Sequence, residues 1–360
     1  MKIFIVCSCL TNGGAERVGV MLANGFARRG HDVSIVTNIY QKATYEVDDN
    51  IKIFPLNPKT NFIIRKWIGA LFLIRKYVRS DKPDAVIGIM QLCSFVSRLA
   101  CLGTGIPVIM TEHDAYQRLP SIRLTKMEIF SKFYLDKIYR CVTILTEADR
   151  KFIGNRLKNV VVMPNPSTFP PYQGEFHKEK ILLAAGRISN WHCKGFDLLI
   201  EAWGKIAEKF TDWKLELAGD GSKEDFCYLK QLAAKYGVTD RMEFLGYRSD
   251  MLSLYQKAAI YVLSSRSEGL PMVIIEAMGQ GCACVAVENF GRTKEMITNE
   301  EEGLLCEMEN PDALSAVMEK MIVDEDYRKK VQLKSIARSE YYSLDHVIGL
   351  WEQLLSSIIK

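Results

Sequence analysis

The sequence has ten cysteines but no pair at Cys-x-x-Cys spacing, the arrangement typical of structural zinc sites and thiol redox motifs. Most cysteines stand among apolar residues, which favours reduced thiols in a core over a disulfide framework. No apolar run of about 18 residues occurs, so we expect no membrane-spanning helix. The start, Met1–Val6, is too short for a signal-peptide core and is interpreted as a strand. These absences indicate a cytoplasmic protein.

Charge is unevenly distributed along the chain. The net charge is +4, but residues 1–165 hold 24 Lys and Arg against 13 Asp and Glu, which leaves the rest of the chain acidic. A basic half indicates an anionic partner, which is a nucleic acid, a membrane surface or a phosphorylated substrate. The alternative is a set of solvated surface lysines.

Apolar strands alternate with amphipathic helices in both halves, and this predicts parallel sheets of the α/β class. Helices are expected at Val18–Arg28, Gly195–Phe210, Asp225–Tyr236 and Pro271–Gly279. A proline cluster between the halves indicates a linker. We predict a Rossmann-like domain at 1–165, a linker at 166–178, a second Rossmann-like domain at 179–342, and a helix at 343–360 that returns to the first domain. Ligands of such sheets bind at the carboxyl ends of strands, here in a cleft between the domains.

The most informative segment is Ser264–Met278, in which a strand ends in a polar turn and a helix begins near Pro271. The amide groups at a helix start suit a diphosphate. Glu268 precedes this helix and Glu276 lies about two turns inside it, so their carboxylates are candidates to accept hydrogen bonds from sugar and ribose hydroxyls. The alternative is that Glu268 only favours the helix start and Glu276 lies on the surface.

The Glu-x7-Glu pattern within SRSEGLPMVIIEAMGQG resembles the family-four retaining glycosyltransferases, which have the GT-B fold. The resemblance implies two Rossmann-like domains that face each other across a cleft. It also implies transfer of a sugar from a nucleotide donor. It places Glu268 near the transferred sugar as a catalytic residue and Glu276 on the ribose. The donor-binding segment would include Leu270, Pro271, Met272 and Val273.

Other motifs fit the same resemblance. Arg187 and Lys194 resemble the pair of cations that holds the donor diphosphate, and cations there would neutralise the leaving group. The alternative is a pair of surface cations after a strand. Ala218–Gly221 is interpreted as a structural turn whose glycines allow close backbone approach. Arg248 belongs to a segment resembling the one beside the nucleobase.

In the first half, Gly13-Gly14 joins a strand to a helix and resembles the loop that approaches donor phosphate or acceptor. We therefore assign Gly14 to the donor site, with a tight structural turn as the alternative. His113 follows a strand and occupies the place of the family's active-site histidine, which contacts the donor sugar. The alternative is a core histidine whose ring nitrogens form hydrogen bonds within the protein. Asn165 is interpreted as structural.

Metal-dependent transferases hold a divalent ion with an Asp-x-Asp pair. The only Asp-x-Asp pattern in this sequence is Asp324-Glu325-Asp326, and it lies outside the motifs described above. We therefore expect no metal and no cofactor, with front-face retention as the mechanism and a covalent intermediate as the competing one.

Residues 59–82 carry seven basic residues and one acid. Ile64, Trp67, Ile68, Leu71, Ile74 and Val78 form an apolar stripe, which predicts a helix that packs on the sheet and presents cations to an anionic membrane. The basic stretch 118–140 would extend this surface. An ordinary crossover helix is the alternative.

If the anionic partner is a membrane, the expected acceptor is a glycan linked to polyprenyl diphosphate, as in family members that build capsule, O-antigen or exopolysaccharide. The enzyme would then lie peripherally on the inner face of the cytoplasmic membrane. UDP-GalNAc or UDP-GlcNAc is the favoured donor. No recognition motif for nucleic acid is present. Two further hypotheses stay open, a non-catalytic protein that binds nucleotide sugar or glycolipid and a sugar-nucleotide epimerase of the same fold.

Overall fold

The computed structural model describes residues 1–11, 13–38, 43–56, 63–174 and 177–359, with the backbone alone at 63–66. The chain divides into two compact units. The first comprises 1–116, 124–166 and 344–360, and the second comprises 117–123 and 167–343.

The first unit contains a parallel sheet of seven strands in the order 3-2-1-4-5-6-7. The strands are β1 (Lys2–Val6), β2 (Asp32–Thr37), β3 (Lys52–Pro55), β4 (Ala85–Ile89), β5 (Val108–Thr111), β6 (Cys141–Ile144) and β7 (Val160–Val162). The helices between them are α1 (Gly14–Arg28), α2 (Ile63–Asp81), α3 (Met90–Ala100), α4 (Lys126–Phe133) and α5 (Glu147–Ile153). Parallel strands need such crossovers, and both sheet faces are consequently covered.

The second unit repeats this plan with six parallel strands in the order 10-9-8-11-12-13. Its strands are β8 (Glu179–Ala185), β9 (Lys214–Ala218), β10 (Met242–Gly246), β11 (Ala258–Leu263), β12 (Ala283–Val287) and β13 (Gly303–Cys306). Its helices are α6 (Trp191–Lys194), α7 (Phe196–Gly204), α8 (Lys223–Lys235), α9 (Met251–Lys257), α10 (Met272–Gly279), α11 (Arg292–Met296), α12 (Pro311–Val323) and α13 (Glu325–Ser339). Buried apolar residues of the sheet and helices form one core, with Trp203 fully enclosed.

The last helix, α14 (Leu344–Ile358), packs on α1 of the first unit. The helices approach closely because Gly25 has no side chain, and a Cβ there would lie 2.6 Å from Ile348. Trp351 meets Phe26 edge-on at 6.5 Å between ring centroids. Arg29 adds ion pairs to Asp345 and Glu352. No helix in the described part of the chain is long and apolar enough to cross a membrane.

The predicted α/β class with two parallel sheets is confirmed. The helix predicted at 195–210 is wrong in length, because α7 ends at Gly204 and only a short 3-10 turn follows. The predicted apolar stripe on α2 is wrong at Ile68, which is 52% exposed, although Ile74 and Val78 are buried as expected. The stripe's Ile64 side chain lies outside the described residues, as do residues 59–62 of that basic stretch.

Candidate active site

Glu268 and Lys194 are brought together at the carboxyl ends of β11 and β8. The Lys194 ammonium donates to Glu268 Oε1 at 2.7 Å, and their side chains are only 23% and 12% exposed. Burial lowers the pKa of Lys194, but attraction and hydrogen bonding to the Glu268 carboxylate outweigh it, so that the pKa is raised. The lysine therefore stays a cation at neutral pH, beside a carboxylate that it orients.

Gly195 permits this contact, because the chain turns there from α6 into α7 with a φ of +65°. A Cβ at this position would lie 2.0 Å from the Ser264 carbonyl oxygen. The Ser264 hydroxyl in turn donates to the Lys194 carbonyl at 2.9 Å. Only glycine allows both the left-handed turn and this close approach, which fixes the α6 end against the β11 loop.

Arg266 anchors the same loop, and sequence reasoning missed it. Its guanidinium forms a two-pronged contact with Asp197 at 2.7 and 2.9 Å and also pairs with Glu309. It donates to the His192 carbonyl as well. Burial lowers the pKa of Arg266 and its carboxylate partners raise it above the usual value. Its burial and its partners follow from tertiary packing, so the local sequence carries no signal for this role, although a buried charge needs partners.

The start of α10 follows directly after this loop. The sequence placed Pro271 in the first helical turn, whereas Pro271 is the N-cap and the helix begins at Met272. No side chain caps this helix start, so the first amides point outward from a positive helix end. Leu270 is buried, while Met272 and Val273 are partly exposed. An anion such as a diphosphate fits this arrangement.

Glu276 lies deeper on α10 and is 3% exposed. Its Oε1 accepts from the Thr168 hydroxyl at 2.5 Å, and its Oε2 accepts from the Tyr255 hydroxyl at 2.9 Å. Burial and the neighbouring carboxylate raise the pKa of Tyr255 well above its usual value, so the phenol stays a donor. Both hydroxyls hold the Glu276 carboxylate in one orientation, and a carboxylate has about four lone-pair sites for hydrogen bonds. Sequence reasoning missed both hydroxyls.

Of the other two predicted cations of this unit, Arg187 is exposed and Arg248 is half-buried. Arg187 precedes the 3-10 turn after β8, near enough to Lys194 to disfavour its charge. Arg248 binds Asp250 through two contacts of 2.5 and 2.7 Å, and this hydrogen bonding raises its pKa. The structure thus groups Arg187 with the Lys194–Glu268 pair and gives Arg248 a local partner.

The turn after β9 is confirmed as a close approach, since a Cβ on Gly219 would lie 1.8 Å from the Gly186 carbonyl.

His113 and Gly14 lie in the first unit. His113 Nε2 is 3.0 Å from Thr111 Oγ1, and the Thr111 hydroxyl donates to the Gly88 carbonyl. Because that hydroxyl has one proton, Nε2 donates and Nδ1 stays unprotonated. Burial lowers the pKa of His113 to about 4, although Asp114 and Asn165 favour the charged form. The neutral ring offers Nδ1 as an acceptor, and this atom makes no hydrogen bond within the described residues.

A small cavity adjoins His113, and Asn165 and Trp351 help to line it. Gly14 is the first residue of α1, and a Cβ there would meet nothing within 4 Å. At Gly13, by contrast, a Cβ would lie 1.7 Å from the Glu16 carboxylate, which folds back over the helix start and accepts from Ser8. Gly14 therefore leaves open space that a side chain would fill.

The Asp324-Glu325-Asp326 triplet has a local role. Asp324 is the N-cap of α13 and accepts from the Tyr327 amide at 2.9 Å, while Glu325 pairs with Lys329 one turn later. Within the described ranges, no group of three or more His, Cys, Asp or Glu is placed to hold a metal ion.

Comparison with known proteins fits this geometry. Residues 12–166 match the family model described as Glycosyltransferase Family 4, and residues 168–338 match that of Glycosyl transferases group 1. The chain belongs to the GT-B glycosyltransferases. The two models meet at the boundary between the two units of this transferase. Its predicted GT-B fold is confirmed by the two parallel sheets and by the likeness to solved glycosyltransferase structures.

Relatives of the transferase span its whole length. An uncharacterized glycosyltransferase of Haemophilus influenzae is 28% identical over 98% of the chain and 99% of its own length. A Campylobacter jejuni enzyme is 25% identical over 99% of both, and is named as an α-1,4-N-acetyl-D-galactosaminyltransferase acting on a GalNAc-containing glycan of undecaprenyl diphosphate. The structure of Anabaena HepE with UDP and glucose has a TM-score of 0.79 at 19% identity, and covers 99% of this chain and 100% of that one.

Proposed function

We propose that the transferase is a retaining, metal-independent hexosyltransferase that moves a sugar from a UDP donor, UDP-GalNAc or UDP-GlcNAc, to a glycan. The favoured acceptor is a polyprenyl-diphosphate-linked glycan in bacterial surface polysaccharide synthesis. The observation that carries the proposal is the Lys194–Glu268 pair beside the uncapped start of α10. The name of the Campylobacter relative supports the donor and acceptor classes, and the UDP complex of HepE supports the nucleotide.

The proposed roles follow from charge. The uncapped amides of α10, with Lys194 and Arg187, would bind the diphosphate and neutralise the negative charge that grows on it as the glycosidic bond breaks. Glu268 would accept from a hydroxyl of the transferred sugar, and Glu276 from the ribose. His113, neutral with Nδ1 as acceptor, suits a hydrogen bond from a donor-sugar hydroxyl better than it suits a general base, because a base with a pKa of about 4 is weak at neutral pH.

Front-face retention then needs no enzymic base. The bond from the anomeric carbon to the diphosphate oxygen breaks, and the bond to the acceptor oxygen forms on the same face. The acceptor proton passes to an oxygen of the departing diphosphate. The competing double displacement would require a carboxylate that attacks the anomeric carbon, and Glu268 is the candidate for that role.

Turnover of a panel of UDP-sugars with lipid-diphosphate acceptors, in EDTA and in Mg²⁺, tests the proposal. We expect one N-acetylhexosamine donor to be used equally in both, with an α-linked product by NMR. A β-linked product would overturn retention, and loss of turnover in EDTA that Mg²⁺ restores would overturn metal independence. Donor binding without turnover would indicate the binding-protein alternative, and donor interconversion without acceptor would indicate the epimerase.

A further inference from the structure

A buried ion pair next to His113 does not take part in the proposed mechanism. Glu112 follows β5 directly, Lys132 lies on α4, and the two paired residues are 2% and 3% exposed. A buried ion pair loses the hydration of both charges, so it is often no more stabilising than apolar residues of the same volume. The stability of the core is therefore a weak explanation for this pair, and its position indicates another one.

Both charges bind the backbone of the residue that follows His113. Glu112 Oε1 accepts from the Asp114 amide at 2.9 Å, and the Lys132 ammonium donates to the Asp114 carbonyl at 3.4 Å. On the other side of His113, the Glu112 amide donates to the Thr143 carbonyl of β6 at 2.9 Å. Asp114 is itself exposed, so burial of its side chain does not fix this backbone. The ion pair therefore holds the chain around His113 through hydrogen bonds to an exposed residue.

Lys132 is held in place by the end of the same loop. Its ammonium lies 4.4 Å from the centre of the Tyr116 ring, and Tyr116 is 1% exposed. The Tyr116 amide donates to Asp149 Oδ1 at 3.1 Å, and Asp149 is 2% exposed. Buried groups thus fix residues 112–116 at several points, and Lys132 contacts three of these five residues.

Attachment of α4 to the sheet does not require the pair. Phe133, the next residue of α4, is 7% exposed, belongs to the apolar core of the first unit and lies 5.7 Å from the Tyr116 ring between centroids. Apolar packing of this kind holds a helix on a sheet without any buried charge. Glu112 moreover directs one of its oxygens to the loop rather than to α4. The contacts favour support of the His113 loop over attachment of the helix.

Lys132 also acts on the His113 ring through its charge. Burial is the main cause of the low pKa of His113, and the nearby Lys132 cation lowers this pKa further, while Asp114 and Asn165 favour the charged ring. A like charge disfavours protonation because the two cations repel each other. The lysine that fixes the backbone thus also helps to keep Nδ1 of His113 an acceptor.

We propose that Lys132 is a positioning residue of the transferase, whose ion pair with Glu112 holds the backbone on both sides of His113 and so fixes the ring in the orientation that a donor-sugar hydroxyl requires. Lys132 acts through His113 and is not itself a catalytic residue. The proposal deepens the proposed function, on which it rests for the role of His113 toward the sugar. The state of His113 can be measured without turnover, so the two proposals can fail separately.

Two variants separate positioning from folding. Lys132→Met removes the cation and leaves Glu112 as a lone buried carboxylate, so it should both destabilise the first unit and disturb His113. Glu112→Gln/Lys132→Met has no lone charge and retains a side-chain oxygen for the Asp114 amide, so its thermal unfolding should occur close to the wild-type temperature. The matched control is Lys214→Met, which removes the partner of Glu216, a carboxylate of the second unit that is 4% exposed.

We expect both Lys132 variants to lower kcat about 10- to 100-fold, because misplacement of a group at the reacting centre costs that much. Their affinity for UDP in calorimetry should not change, since the groups assigned to the diphosphate and the ribose lie in the second unit. In NMR, the titration midpoint of His113 should be higher in both variants than in the wild type, because the neighbouring cation is absent. Lys214→Met should leave kcat and the His113 midpoint unchanged.

A double variant with the wild-type kcat, or with an unchanged His113 midpoint, would overturn the proposal, as would an equal loss of kcat in Lys214→Met. Weaker UDP binding by the Lys132 variants would show a general disturbance of the protein and would also overturn it.

Hydrogen exchange of the wild type decides the question if neither variant folds. The Asp114 amide belongs to an exposed residue, so it should exchange slowly only if Glu112 holds it, and fast exchange would overturn the proposal. If the wild type turns over no donor while this amide is protected and the variants raise the His113 midpoint, the proposed function fails and the positioning of His113 stands.

Discussion

Lys194 combines two tasks, because its ammonium orients Glu268 and is a candidate partner of the diphosphate. We expect Lys194→Gln to lower kcat/KM about 10²- to 10³-fold, since it removes charge stabilisation of the leaving group and leaves Glu268 without its cation. Lys194→Arg should recover only part of this loss, because the Lys194 side chain packs against Gly186 and a larger planar group has a different shape and hydrogen-bond geometry there. Steady-state kinetics with the preferred UDP-sugar measure both.

Lys180→Gln is the matched control, because Lys180 pairs with Asp212 at an exposed position. It should leave kcat/KM unchanged, as exposed ion pairs contribute little. An equal loss in both variants would show that any change of lysine to glutamine impairs the enzyme, and would remove Lys194 from the proposed mechanism.

His113 should be neutral through the physiological range, because burial lowers its pKa to about 4 from the ordinary value near 6.5. The unfolded chain therefore binds more protons at this residue than the folded chain between about pH 4 and 6.5, so its contribution to stability falls as pH falls through that window. Comparing the wild type with His113→Gln by denaturant unfolding at pH 7.5 and 5 should show the larger pH effect in the wild type.

NMR provides a direct measurement of the same property. The ring protons of His113 should not shift near pH 6.5, the region in which an unperturbed histidine side chain changes its charge. A titration midpoint of His113 near pH 6.5 would contradict a ring that is neutral throughout this range. It would then support His113 as a general base.

Glu276 depends on hydroxyls from two distant parts of the chain. Tyr255→Phe removes one of them, so we expect a severalfold rise in KM for the donor with little change in kcat, because the carboxylate loses its fixed orientation toward the ribose. Tyr236→Phe is the control, since Tyr236 likewise donates to a carboxylate, that of Glu201, outside the candidate site. A kcat loss without a KM change in Tyr255→Phe would contradict a donor-positioning role.

Single residues show what could be predicted from the sequence. The Glu268 and Glu276 pattern could be recognised from local spacing and from the start of a helix. Thr168, Tyr255 and Arg266 could not be assigned, because each acts through a contact with residues far along the chain or across a loop. Spacing within a motif indicates its chemistry, while the groups that orient it depend on tertiary packing.

At the scale of elements, the strands were predictable because buried parallel strands are short apolar runs. Strand β3 was not predicted, since it lies at the sheet edge with Lys52 and Ile53 exposed and lacks such a run. The outward face of α2 was also missed, because helical periodicity shows which residues share a face but does not show that Ile68 and Phe72 lie outside the contact with the sheet.

The junction of α6 and α7 gives a prediction at this scale. Gly195→Ala should destabilise the second unit by more than the roughly 1–2 kcal/mol that a left-handed backbone costs an alanine, because its Cβ would also meet the Ser264 carbonyl at 2.0 Å. Gly237→Ala isolates the backbone cost, since Gly237 has a φ of +70° and a Cβ there meets nothing within 4 Å. Equal losses for the two variants in thermal unfolding would contradict the close approach.

At the scale of the whole molecule, sequence order and spatial order differ. The chain passes from the first unit to the second and ends with α14 on the first again. Basic residues dominate the segment that forms most of the first unit, and its outer helices display exposed lysines and arginines beside apolar side chains. The charge asymmetry that the sequence shows thus has a structural location, and the first unit is where the anionic partner expected from the sequence would bind.

Because the chain returns to the first unit, α14 contributes to the stability of that unit. Trp351 is 2% exposed, contacts Phe26 and lines the cavity beside His113, so Trp351→Ala should destabilise the first unit by about 3–5 kcal/mol. Gln353→Ala, at an exposed position of the same helix, should change little. In calorimetry, UDP should raise the temperature at which the second unit unfolds. Trp351→Ala should lower the unfolding temperature of the other transition, that of the first unit. A shift confined to the UDP-sensitive transition would contradict the assignment of α14 to the first unit.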